Sequence, residues 1–125
     1  MMNKNRPKHL ALHRIKLPLP GFVSILHRIS GILLFVFLPV LLWMFQASLR
    51  SIATYTQLIE ILHHPLSKIV LLGLLWAFFH HFWAGIRYMA LDLHIGSSLA
   101  QARSSSRLVL GISLLLTIFA GGWLW

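Results

Sequence analysis

The chain has 125 residues, 58% of them hydrophobic and only 10% charged, with a mean hydropathy of +0.78 and no cysteine. A soluble domain of this length needs more polar surface to cover its core, so residues 1–125 read as a single all-α integral membrane domain. The lack of cysteine excludes disulfides, thiolate-held iron–sulfur clusters and thiol catalysis within this sequence.

The formal net charge is +9, from eleven Lys and Arg against Glu60 and Asp92. Six of those cations (Lys4, Arg6, Lys8, Arg14, Lys16 and Arg28) precede the first long apolar run. Front-loaded charge of this kind sets membrane topology and meets anionic lipid head groups, and it lacks the patterning of a nucleic-acid binder.

Residues 1–20 form a basic arm in which Pro7, Pro18 and Pro20 break any long helix. The arm has no continuous apolar stretch of the kind a signal peptide carries. His9 and His13 within it read as surface histidines. Residues 21–31 are amphipathic: at about 100° per residue Ser24, Arg28 and Gly31 share one face, while Phe22, Ile25 and Ile29 share another. This polar foot enters a first span at about residues 29–49. Pro39 lies in the middle of that span and is expected to kink it or loosen its hydrogen bonding.

Residues 50–68 connect to the second span, with enough apolar residues to support a short interfacial helix. His63 and His64, just before Pro65, read as a pair in an aqueous loop. The second span covers about residues 68–92. Lys68 and Arg87 bracket an uncharged stretch long enough for about 27 Å of helix. The adjacent His80 and His81 lie near its Arg87 end. A second connection runs to Arg107, and a third span covers about residues 108–125. Trp123 and Trp125 close that span where an interfacial aromatic belt is expected.

The arm and the second connection hold most of the positive charge. The N-terminus is therefore expected on the cytoplasmic side and the C-terminus on the periplasmic side. Ser24, His27 and Arg28 then lie at the same membrane depth as His80 and His81.

An ionisable group at that depth is costly and points to function. A neutral imidazole is a good iron ligand, and haem b needs no covalent cysteine attachment. Gly85 and Ala84, four and three residues after His81, lie on its side of the helix. Arg28 and His27 could meet haem propionates, and Gly31 would let a partner group approach the backbone. The plainer alternatives are histidines that hydrogen-bond across helices as packing and an Arg28 that only snorkels to the interface. Tyr88 and Asp92, four apart, are positioned for a helix-end hydrogen bond.

The segment Ser24-Ile25-Leu26-His27-Arg28-Ile29-Ser30-Gly31 resembles the S-x-x-H-R-x-[ST]-G motif of the cytochrome b membrane-anchor subunit of succinate dehydrogenase. His81-x-x-x-Gly85-Ile86-Arg87-x-Met89-x-x-Asp92 resembles that subunit's second motif. Arg6-Pro7, the three spans and the loop lengths agree as well, so the resemblance covers essentially the whole chain. It implies a subunit of a bacterial inner-membrane complex, packed against a second three-helix anchor. One haem b would be shared between the two anchors, and an iron–sulfur subunit and a flavoprotein subunit would dock on the cytoplasmic face.

The resemblance further implies that His81 is an axial iron ligand, with the second imidazole supplied by the partner anchor. His27 and Arg28 would lie near the propionates, while Ser24 and Arg28 would line a ubiquinone site. A hydroxyl there can donate to a quinone carbonyl, and a guanidinium can stabilise negative charge developing on it. The sequence departs from the motif at Tyr88, where His or Phe is usual, and at His94, where a small residue is common. His80 is turned about 100° from His81, so the two cannot face one iron.

Three alternatives remain open at this point. One is a haem-free anchor of a related complex. Another is a small proton-conducting or transport subunit that uses His80 and His81 as a relay. The last is haem held by His27 and His81 of this chain alone.

Overall fold

A computed structural model describes residues 16–125, all helix and connection, with no strand among the described residues. The arm residues His9, His13 and the Arg6-Pro7 pair lie outside them. Four helices follow in order: α1 Leu19–Ser48, α2 Ile52–His63, α3 Pro65–Asp92 and α4 Leu99–Leu124. α1, α3 and α4 are each long and apolar enough to cross a membrane.

Each helix begins where local chemistry satisfies its free N–H groups. α1 starts after an extended Pro18, with Pro20 in its first turn, where the missing N–H costs nothing. It is one continuous helix from the polar foot through Pro39 to Ser48. α2 opens on a capping box: the Ser51 hydroxyl accepts from Thr54 N–H at 3.1 Å and the Thr54 hydroxyl accepts from Ser51 N–H at 3.2 Å. Thr54 Oγ1 also donates to the carbonyl of Ala47 at 2.8 Å, tying α2 to the end of α1. The expected short helix in the first connection is therefore present.

His63 and His64 serve the chain turn. The ring Nδ1 of His63 lies 2.7 Å from the carbonyl of Ile59, while His64 Nδ1 accepts from Leu66 N–H at 3.2 Å and caps α3 ahead of Pro65. Past α3, Ile95 N–H donates to Ala90 and His94 N–H to Leu91, both at 2.9 Å. His94 has φ +61°. This is the Schellman arrangement, and His94 occupies the left-handed position that glycine usually fills.

The second connection is shorter than the polar sequence suggests. α4 starts at Leu99, capped by Ser98 accepting from Gln101 N–H at 3.3 Å, so only residues 93–98 are non-helical. The serine run stays helical because its hydroxyls bond back to the backbone. Ser105 and Ser106 both donate to the carbonyl of Ala102, at 3.2 and 2.7 Å.

α3 is the central helix, packed on one side by α4 and on the other by α1. The core joins Val23 of α1, Ala84 of α3 and Val109 of α4. Around it the buried positions are small and polar: Ser30, Ser106, Ser113 and Thr117, with Gly121 where α4 meets Leu72. Small residues let helix backbones approach closely where lipid removes the usual hydrophobic drive. The outer surface is apolar instead, with Phe35 78% and Phe119 74% exposed, as a chain solvated by lipid requires. At the end opposite the histidines, the Lys68 ammonium lies 5.8 Å from the ring centre of Trp125.

Candidate functional site

The foot of α1 runs alongside the last third of α3, and the two motifs meet there. His81 Nδ1 lies 3.1 Å from the carbonyl of His27 and 3.3 Å from Ser30 Oγ. Ser30 itself is buried, and its hydroxyl donates to the same carbonyl at 2.8 Å. With the carbonyl and the hydroxyl oxygen both accepting, the proton of His81 belongs on Nδ1, and the Nε2 lone pair is left outward. That is the tautomer a metal-binding imidazole needs, with its second nitrogen held by the backbone.

The ring of His27 stacks on that of His81, with centroids 4.3 Å apart and planes within 7°. His27 also meets the ring of Tyr88, tilted, at 5.2 Å. Rings stacked face to face cannot aim nitrogens at one iron from opposite sides. The two rings of this pair therefore cannot hold one iron between them.

Gly31 is what permits the arrangement. A Cβ at that position would stand 2.9 Å from His81 Cε1, closer than side-chain carbons approach. Gly85 is less critical, since its added Cβ would meet only His27 Nε2, at 3.8 Å. Ala84, three residues after His81, is fully buried in the three-helix core. His27, Arg28, Gly31, Ile32, Phe35 and His81 line an open groove of about 560 Å³ on the outer face of α1 and α3. Ser24, one turn before Arg28, is half-buried and outside that lining.

His80 goes elsewhere. It is fully buried, stacked on Trp76 at 5.0 Å, and neither ring nitrogen has a hydrogen-bond partner. Its ring faces different neighbours from that of His81, with the Val23 backbone of α1 beside it. The hydroxyl of Tyr88 is likewise buried without a partner while Asp92 is exposed, so the Tyr88–Asp92 hydrogen bond is not formed.

In the sequence Arg87 marks the end of a span and a position of the second motif, with no role of its own. The structure turns it into the bundle, 7% exposed, with Nε donating to Ser105 Oγ at 2.9 Å and Nη2 donating to the carbonyl of Ala102 at 3.3 Å. The signal available in sequence was its place within the second histidine motif.

Three membrane-crossing helices with a backbone-anchored imidazole at a lateral groove define an integral membrane protein with a ligand-ready histidine between its first and second spans. Residues 2–120 match the family model described as succinate dehydrogenase/fumarate reductase transmembrane subunit. The succinate dehydrogenase cytochrome b556 subunit of Coxiella burnetii is 33% identical, covering 99% of this chain and all of that protein. The subunit of the same name from Paracoccus denitrificans is 30% identical over 91% of this chain and 88% of its own length. The chain belongs to the succinate dehydrogenase/fumarate reductase transmembrane subunit family, and its likeness to the cytochrome b anchor holds across its length. As such it is a non-catalytic subunit of an enzyme complex.

Proposed function

We propose that this chain supplies one axial ligand to a haem b, through Nε2 of His81, and part of a ubiquinone site, through Ser24 and Arg28. The observation that carries the reading is the His81–His27 contact. The 3.1 Å bond to the His27 carbonyl fixes ring and tautomer, and the free nitrogen belongs to a ring on the wall of an open groove. A haem held there would supply a one-electron redox centre to the complex.

The chain's own residues do the rest. Arg28 is exposed at the groove, and His27 forms its floor beside His81, so both are available to propionate oxygens. Ser24 lies one helical turn from Arg28 on α1, where its hydroxyl would donate to a quinone carbonyl and Arg28 would stabilise charge developing there. The second imidazole is assigned to a partner anchor of three helices, a reading that the open groove and the stacked His27–His81 pair support. The positive-inside rule supports a cytoplasmic position for the end of the bundle that carries Arg28, Arg103 and Arg107, facing the iron–sulfur and flavoprotein subunits of a bacterial inner-membrane complex.

The test is a reduced-minus-oxidised optical spectrum of the purified complex for wild type and His81→Ala. The expected result is a sharp b-type α-band in wild type that is lost in the variant. An unchanged band moves the ligand off His81, and no band in wild type leaves a haem-free anchor.

A further inference from the structure

Arg87 is a buried cation with no anion to meet it. Both groups it is bonded to, the hydroxyl of Ser105 and the carbonyl of Ala102, are neutral. The whole chain has only two acidic residues, Glu60 and Asp92. Glu60 is on α2, at the far end of the bundle. Asp92 is five residues along α3 from Arg87, about 140° away around the helix, and is exposed. The Tyr88 ring, 5.4 Å from the guanidinium carbon, is neutral as well, so among the described residues no group around this buried cation carries a negative charge and an anion from outside the chain would stabilise it.

The surroundings of Arg87 say what kind of molecule brings it. Arg87 and Ser105 lie in the wall of a partly enclosed cavity of about 250 Å³ between α3 and α4, otherwise lined by apolar side chains such as Trp83, Leu91, Leu108 and Ile112. The cavity continues outward along α4 into a groove that shares Ser105 and Ile112 and adds Ser104 and Arg107. Arg87 sits five residues from the end of α3, about 7.5 Å along the axis, at the boundary between acyl chains and head groups. The site is separate from the His81 groove: six residues from His81 is about 240° around the helix, on the face turned to α4. An apolar slot with one cation in its wall and a second at its rim is complementary to an amphiphile with an anionic head.

We propose that the α3–α4 cavity seats one anionic phospholipid, its phosphate at Arg87 and Ser105 with Arg107 at the rim, and an acyl chain along the apolar wall. The lipid serves as the counter-ion that allows Arg87 to stay buried, and it joins α3 to the first turns of α4.

The experiment is native mass spectrometry of the purified complex after exhaustive detergent washing and supplementation with phosphatidylglycerol or phosphatidylcholine. Wild type is expected to keep one phosphatidylglycerol for each copy of this chain and to exchange it poorly for phosphatidylcholine. Arg87→Gln should lower that occupancy about tenfold or more, the worth of a charge-assisted contact. If Arg87→Gln fails to assemble, Ile112→Phe fills the cavity while keeping the charge, and should lose the lipid with all subunits present. Glycerol phosphate should not displace the lipid, because the apolar wall contributes to binding. Full occupancy in the variants, no retained lipid in wild type, displacement by glycerol phosphate, or a partner carboxylate bonded to Arg87 in the assembled complex would each overturn the proposal.

Discussion

His80 and His81 are chemically identical neighbours, yet the fold gives them opposite lives. His81 has one nitrogen anchored to a backbone carbonyl and the other free, with its ring on the wall of a groove. His80 is sealed between Trp76 and the Val23 backbone of α1, with both nitrogens buried away from any groove. A rotation of about 100° decides whether an imidazole can serve a ligand or only fill space. Residue type at bilayer depth therefore raises a question, and orientation answers it.

The sharpest way to break this comparison is to exchange the roles. His81→Ala is expected to abolish the b-type α-band of the complex, while His80→Phe, similar in shape and apolar, should retain it at full amplitude. Equal loss in both spectra would mean that the two histidines are not functionally distinct. Next in size is the support of the ring. Gly31→Val should displace the His81 ring and lower haem per complex severalfold, whereas Gly85→Ala, whose added Cβ would make an ordinary 3.8 Å contact with His27 Nε2, should bind haem as wild type. Haem-to-protein ratios by pyridine haemochrome read this directly.

Arg28→Ala should raise KM for quinone about tenfold or more, and Ser24→Ala by less, in keeping with charged and neutral hydrogen bonds. Electron transfer from succinate to a soluble acceptor that bypasses the membrane site should be unchanged in both. Thermal unfolding of the His80→Phe complex sharpens the other half of the comparison. Replacing two buried ring nitrogens beside the Val23 backbone by apolar atoms should change stability by about 1 kcal/mol or less. The smallest expected effect is at His94: a glycine there relieves the left-handed backbone and should stabilise by about 1 kcal/mol or less.

Much of this was legible in sequence because apolar run length and cation placement report directly on membrane spans. The pairing of the two motifs was legible too, since depth along antiparallel helices follows from residue counts. The helix ends were not. The polar residues 99–107 read as a connection, yet serines can satisfy their hydroxyls on the preceding turn and remain helical. His63, His64 and His94 had no readable role, because capping and left-handed closure depend on backbone geometry at one residue. Arg87 was missed for a different reason. A cation near a helix end ordinarily snorkels to water, and only the approach of α4 turns this one inward.

The sequence by itself determined that the chain is an all-helical membrane protein with three spans, and that two histidine-bearing segments lie at one depth. Hydrophobic length and charge act locally along the chain, so those features need no knowledge of neighbours. Only the tertiary structure decided that His81 faces α1 with its Nδ1 on the His27 carbonyl, that Gly31 rather than Gly85 makes the room, and that Arg87 is enclosed by α4. Each of those depends on the rotation and separation of packed helices, which side-chain volumes set at the contacts.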